Sequence, residues 1–336
     1  MKVFVTGGTG LVGRHVILAL RARGDAVGAL ARSETSAAEL LRLGAEPCRG
    51  DLSDPAMLDA AIAGCDAVVH AAAMVLRAGT WTQWREVNVR GAELAARSAA
   101  RARARLVHLS SVAVYGRSRA AIDRPGSDED FDLERAPAVH EPYARSKREA
   151  EIAVWRVAKE TGLSAVALRP CVLYGEGDRH FSPRVARLVR RGIVPLIGGG
   201  LNRMTVVYAG NVASAVTAAL DHPEVTGPFN LTNDGQLTMR EFVEHFAAGL
   251  GVAPRWLPIS RGFAWSVARA WDATIGAAVS DTLSLSVSVQ FLAGNNRYSS
   301  ARAERLLDWR PAVAAAEAAE RTGASFRSAS RPGAHP

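Results

Sequence analysis

The chain has 336 residues, 48% hydrophobic and 22% charged, proportions that suit a globular protein with a large core and exclude a disordered or fibrous one. Its net charge is +8, with a pI near 10.0, yet the arginines are scattered along helices beside Glu and Asp, and the densest group, Arg97 to Arg105, has no interleaved aromatics. That pattern favours solvated helix faces over a nucleic-acid patch, although a basic surface suits anionic substrates or membrane surfaces.

Residues 2 to 5 form a strand-like run with no signal peptide before it, and Cys48, Cys65 and Cys171 are too widely spaced for a disulfide framework or a metal site. A cytoplasmic location and no metal are therefore expected. Val3 to Gly13 reads Val-Phe-Val-Thr-Gly-Gly-Thr-Gly-Leu-Val-Gly and runs into a helical stretch at His15 to Leu20. Strand, glycine loop and helix occur in the order a dinucleotide site requires. Gly7 permits the tight turn, Gly10 lets the backbone approach a pyrophosphate, and Gly13 lets helix and strand pack closely. Thr9, Leu11 and Val12 complete the loop, and the helix amino terminus offers its unpaired N–H groups to phosphates.

The second strand, Ala26 to Ala31, ends in Arg32-Ser33. An NAD site places a carboxylate here and an NADP site an arginine, so Arg32 favours NADP(H) over NAD(H). The competing reading is a surface arginine, with Glu34 recruited to the ribose instead. Asp51 and Leu52 follow a short strand near Glu46 to Arg49, where they suit an adenine amino group and ring; Asp54-Pro55 reads as a helix cap. The buried strand from Asp66 ends in His70 and the small residues Ala71, Ala72 and Ala73, which let a flat cofactor lie close. His70 itself reads as a packed core histidine.

Tyr143 and Lys147 stand one helical turn apart, and Lys147 is one of only three lysines against 38 arginines. An ammonium there can favour the ionised phenol, whereas the plain alternative is a surface lysine at a helix start.

The glycine loop, Asp51-Leu52, His70 to Ala73, Asn88-Val89-Arg90-Gly91, Ser110 to Gly116, Tyr143-x-x-x-Lys147 and Arg169-Pro170 occur in one order over residues 1 to about 311. In that order they resemble the extended short-chain dehydrogenase/reductases, the family of nucleotide-sugar epimerases and 3β-hydroxysteroid dehydrogenases. The resemblance implies Tyr143 as general acid/base and Lys147 as the group that lowers the phenol pKa and binds the nicotinamide ribose. It implies Ser111 as the group that orients the substrate oxygen, with Ser110 the lesser choice, and Asn88 as support for the lysine through its backbone and a water. Pro170 and Val172 would lie in the loop against the nicotinamide, and Tyr115 either lines the substrate or only packs.

Val112-Ala113 replaces the acidic pair of the family's dehydratases, and Tyr208-Ala209-Gly210-Asn211-Val212-Ala213 resembles the hydroxysteroid and sterol dehydrogenase branch rather than the epimerases. Arg203 remains available for a substrate phosphate. A largely apolar stretch from Trp256 to Leu292 reads as a packed helical lobe or as a lid over a hydrophobic substrate that also touches a membrane; no run reaches the length of a span. Trp81 and Trp84 line the same cavity or pack helices.

The expected fold is α/β: a Rossmann-type doubly wound parallel sheet over residues 1–174 and a smaller, mostly helical substrate lobe over 175–324. Val206-Val207 and Phe229 to Leu231 are expected to return to the main sheet, Asp123 to Glu134 to form an exposed loop, and 325–336 to be a disordered tail. The expected activity is NADP(H)-dependent interconversion of a secondary alcohol and a ketone on a steroid, sterol or β-keto/hydroxy lipid-like molecule. A nucleotide-sugar epimerase with retained NAD and a non-catalytic dinucleotide sensor are the alternatives. By analogy with the family, a homodimer through the helices carrying Asn88 and Tyr143 is expected.

Overall fold

The computed structural model describes residues 1–75, 79–116, 129–135, 139, 141–232, 237–274, 285–295 and 298–327. The chain forms two compact units. The first comprises Met1–Cys171, Ala209–Leu231 and Tyr298–Ala312; the second comprises Val172–Tyr208, Thr232–Arg297 and the chain from Val313 on.

The first unit is built on a parallel sheet of seven strands: β1 (Lys2–Thr6), β2 (Ala26–Ala31), β3 (Glu46–Arg49), β4 (Ala67–His70), β5 (Arg105–Leu109), β6 (Ala165–Pro170) and β10 (Gly227–Leu231). They lie in the order β10-β6-β5-β4-β1-β2-β3. Strands β4, β5 and β6 are buried along their whole length, as their unbroken apolar runs require in a sheet covered on both faces. After β3 the chain crosses to the other side of β1, which opens a crevice at the carboxyl ends of β1 and β4.

Helix α1 (Leu11–Ala22) buries Val12, Val16, Ile17 and Leu20, a 3.6-residue stripe. Asp54 caps α3 (Pro55–Ile62), accepting from the Ala56 and Met57 amides, with Pro55 in the first turn. A helix beginning as α4 (Trp81–Trp84) passes through a π-helical segment, Arg85–Arg90, before continuing as α5 (Gly91–Ala102). Helix α6 (Pro142–Thr161) packs on α5. Helix α8 (Ala209–Asp221) packs on α1, and α12 (Ala301–Leu307) ends at Asp308, where φ is +47°. Asp tolerates that left-handed turn better than most residues. It brings Trp309 back so that its indole N–H donates to Ser214 Oγ at 2.9 Å.

The second unit holds two two-stranded parallel sheets, β7 (Val172–Tyr174) with β9 (Val206–Tyr208) and β8 (Ile193–Ile197) with β11 (Arg255–Ile259). Around them lie α7 (Ser182–Arg190), α9 (Met239–Leu250), α10 (Arg261–Thr274), α11 (Leu285–Ala293) and α13 (Ala315–Ser325). Of the segments expected to return to the main sheet, Phe229 to Leu231 does so and Val206-Val207 does not; it pairs with β7. The acidic insert is not wholly exposed, because Leu133 is buried against Val114 and Tyr115; its portion 123–128 lies outside the described residues. Residues 325–327, assigned to the expected tail, are placed against the second unit's helices. Ser325 closes α13, Phe326 packs on Phe246, and Arg327 donates to the Ala248 carbonyl at 3.0 Å; 328–336 lie outside the described residues.

Helices α9 and α13 approach backbone to backbone. A Cβ on Gly249 would lie 2.7 Å from the Glu320 carbonyl carbon, and one on Gly323 would lie 3.0 Å from the Leu250 amide. Gly249→Val is therefore expected to separate the two helices and destabilise the second unit by about 3 kcal/mol. Thermal melts by circular dichroism measure this; an unchanged melt would refute the close crossing.

Candidate active site

The glycine loop closes over the carboxyl ends of β1 and β4. Gly7 has φ +72°, and a Cβ there would lie 2.6 Å from the Ala72 amide nitrogen; a Cβ on Gly13 would overlap the Gly7 carbonyl. No residue with a side chain fits either position, so the loop, the start of α1 and Ala71-Ala72 form one tight cradle. Gly10 caps α1 without a side chain, and the first turn carries no acid. The positive end of the helix thus faces outward, which fits a dinucleotide pyrophosphate. Thr9 and Leu11 are half-buried in this loop, while Val12 turns its side chain into the core. Ala71 and Ala72 are held by Thr6, whose carbonyl and hydroxyl accept their amides at 3.2 and 3.3 Å. Ala73 follows them, half-buried.

At the end of β2, Arg32 is exposed and lies near Asp51, while Glu34 is ion-paired to Arg49 at 3.0 Å. The Ser33 hydroxyl caps α2 (Glu34–Arg42) in a reciprocal pair with Ser36. Asp51 Oδ1 accepts from the Ser53 amide and hydroxyl at 2.9 and 2.7 Å, bonds that hold its carboxyl below the usual range. Leu52 corrects the expectation of an adenine-facing side chain, because it is buried in the core with Leu58 and Ile62.

The candidate groups Ser111, Tyr143 and Lys147 gather where α6 meets the end of β5. The Ser111 side chain accepts from the Ala113 amide at 3.2 Å, starting a turn of 3-10 helix, and hydrogen-bonds the Tyr143 phenol. Lys147 is buried, and its Nζ donates to the Leu109 carbonyl at 2.7 Å. Burial pushes its ammonium down to about 8, partly opposed by Glu151. Burial also pushes the Tyr143 phenol up, against the pull of Ser111. The sequence led to the opposite direction for the phenol. In the structure its ring is half-buried against Trp84, with centroids 6.2 Å apart, and desolvation decides the sign.

Asn88 lies in the π-helical segment, a frequent sign of a functional position. Its Oδ1 accepts from the Met74 amide at 2.6 Å; its Nδ2 donates to the Met74 carbonyl and, at 2.8 Å, to Ser146 Oγ. Ser146 in turn donates to the Tyr143 carbonyl. Asn88 therefore ties the first turn of α6 to the segment after Ala73 through side-chain bonds.

Below Lys147, one turn along α6, Glu151 is fully buried. It pairs with Arg169 at 2.6 Å and accepts from Ser110 Oγ at 2.5 Å and from the Trp155 indole at 3.1 Å. Arg169 also donates to the Tyr115 hydroxyl at 2.7 Å, and Tyr115 donates to Asn230 Oδ1 at 2.8 Å. Tyr115 is thus a packing residue, 1% exposed and stacked on Tyr298, and not a substrate contact. Sequence reasoning missed Glu151 and Ser146, although Glu151 stands four residues after Lys147. His70 packs as expected, bonded to Thr6 at 2.9 Å and stacked on His108 at 5.5 Å; burial holds both rings well below the ordinary histidine value.

Trp81 supports Arg145, whose guanidinium sits 3.8 Å from the ring, so Trp84 rather than Trp81 touches Tyr143. Pro170 ends β6 and is buried. Val172 and Arg203 belong to the second unit: the Val172 amide donates to the Thr205 carbonyl, and exposed Arg203 donates its amide to Asn295 Oδ1 at 2.9 Å.

Residues 3–232 match the model of the NAD-dependent epimerase/dehydratase family. The chain belongs to that family. It is 35% identical over 269 residues to a 2-alkyl-3-oxoalkanoate reductase of Stenotrophomonas maltophilia, covering 76% of this chain and 77% of that protein. It is 32% identical over 244 residues to a 4-hydroxy-2-methyl-3-oxo-4-farnesyl-3,4-dihydroquinoline-1-oxide ketoreductase of Stigmatella aurantiaca, covering 72% and 71%. Among solved structures, a UDP-glucose 4-epimerase of Thermus thermophilus in complex with NAD is similar with a TM-score of 0.67 and 26% identity, over 98% of this chain and 100% of that one. The chain is an NAD(P)-dependent oxidoreductase of the extended short-chain type.

Glu151→Ala is expected to destabilise the first unit by about 4 kcal/mol, because it leaves the Arg169 guanidinium buried and unpaired. Chemical denaturation measures the loss, and a variant as stable as the parent would contradict the network.

Proposed function

We propose that the protein reduces a 3-oxo group on an apolar, lipid-like small molecule to the secondary alcohol, with NADPH as reductant and Tyr143 as the proton donor. The observation that carries this reading is the placement of the Tyr143 phenol, hydrogen-bonded to Ser111 and one helical turn from the buried Lys147. A neutral phenol is the correct starting state for an acid that must protonate a carbonyl oxygen.

When bound, the reduced dinucleotide supplies the hydride to the carbonyl carbon. The glycine cradle and the amino end of α1 would hold its pyrophosphate, and Arg32 would pair with a 2′-phosphate. Ser111 donates to the phenol oxygen while accepting from the Ala113 amide, which leaves the phenol proton for the substrate oxygen. The Lys147 ammonium steadies the phenolate left behind. Trp84 provides an apolar wall beside the reacting group. The names of the two reductase relatives, both acting on 3-oxo compounds with alkyl or farnesyl substituents, support the substrate class. The matched epimerases keep open a reading in which NAD is retained through the cycle, and cofactor turnover separates the two.

The test is loss of NADPH absorbance with a 2-alkyl-3-oxo acid: steady consumption with alcohol formed in equal amount is expected. Turnover of a UDP-sugar without net cofactor change would overturn the reading. Tyr143→Phe is expected to lower kcat by about 10²- to 10⁴-fold with little change in cofactor affinity. Because the Lys147 ammonium is present below pH about 8 and lost above it, reduction should decline as pH rises through that value. An undiminished rate well above that pH would remove Lys147 from the mechanism. Arg32→Glu is expected to shift preference from NADPH toward NADH by roughly 10- to 100-fold in kcat/KM; an unchanged ratio would assign the 2′-phosphate to another residue.

A further inference from the structure

Helix α10 is built the wrong way round for a helix that faces water. Of its 14 residues only Ala264 and Ala268 are buried, while Phe263, Trp265, Val267 and Trp271 are exposed by 62, 37, 43 and 48%. Phe263, Val267 and Trp271 follow one another at intervals of four and form a single apolar ridge. Leu257, on β11, is likewise half-exposed. Among the described residues, every exposed phenylalanine or tryptophan of the chain is on this helix. Isolated exposed apolar residues are ordinary, but a ridge with aromatics at both ends is not.

The charges beside it have one sign. Arg255, Arg261 and Arg269 are exposed, and the one acid between 255 and 274 is Asp272. Its carboxylate is turned inward, accepting from the Leu285 amide at 2.8 Å and the Ser286 amide at 3.1 Å as a cap on α11. Aromatics and arginines along one short helix match the layered chemistry of a bilayer boundary, where indole rings sit at headgroup level and guanidiniums meet phosphates. Among the described residues no helix is long and apolar enough to cross a membrane, so such a contact would be peripheral.

We propose that α10 docks the protein on an anionic phospholipid surface, with Phe263, Val267 and Trp271 entering the boundary and Arg261 and Arg269 pairing with headgroups. The contact is separate from the redox chemistry, and vesicle binding reads it without any turnover.

The full-length protein is sedimented with vesicles of phosphatidylcholine alone and of equimolar phosphatidylcholine and phosphatidylglycerol. Binding to the anionic vesicles, weakened by salt and accompanied by a blue shift of tryptophan emission, is expected. The double variant Phe263→Ser, Trp271→Ser should lose binding by roughly tenfold or more with its thermal melt unchanged. Absence of binding, or equal binding by the double variant, overturns the proposal. So does a parent dimer in light scattering that the same substitutions split, since the ridge would then be covered by a second copy of the chain.

Discussion

The ion pair of Glu151 and Arg169 is the constraint on which the site rests. It ties the middle of α6 to the end of β6 inside a region closed to water, and through Ser110 it fixes the residue just before Ser111. Burying two full charges is expensive, and the arrangement survives only because the remaining lone pairs and protons are used, by Ser110, Trp155 and Tyr115. The positions of Tyr143, Lys147 and Ser111 are consequences of that anchoring. Tyr143 and Lys147 ride on the turns of α6 that precede the anchor, and Ser111 leaves the strand that the anchor holds.

A second set of bonds works from the other side. Asn88, pushed inward by the π-helical segment, clamps Met74 and Ser146, and Ser146 closes onto the Tyr143 carbonyl. The phenol is thus held at the level of the backbone, and its ring is held by Trp84. The hydroxyl itself is hydrogen-bonded to Ser111.

The first unit was largely legible because parallel strands and glycine turns are local signals: Val3 to Val5, Gly7, Gly13 and the alanines after His70 each report a steric need that a single residue type meets. The limits appear where a long-range choice decides. Val206-Val207 has the composition of a strand for either sheet, and only its partner settles that it joins β7. Leu52 is apolar in any case, and whether it meets a ring or the core depends on how α3 and α5 pack around it. Tyr115 suits substrate lining or packing as far as sequence goes, and the hydrogen bonds of its hydroxyl to Arg169 and Asn230 are long-range facts that sequence does not carry. A charge four residues from the phenol is visible in a sequence, whereas the desolvation that pushes the phenol up is not. Glu151 could have been found by asking what a buried Arg169 would need, since charges inside a protein are almost always paired.

The π-helical segment at Arg85–Arg90 carries one more consequence. A helix that widens there accommodates one residue more than the regular repeat, so the positions before and after it are out of step with that repeat. The Trp81–Trp84 turn and the Gly91–Ala102 rod present different faces, one toward the tyrosine ring and one toward the sheet. Shortening this stretch by one residue while restoring ordinary winding would turn the chain through nearly the same angle, so both tryptophans would keep their bearing and the loss would fall on Asn88, whose side chain the widened turn presses inward.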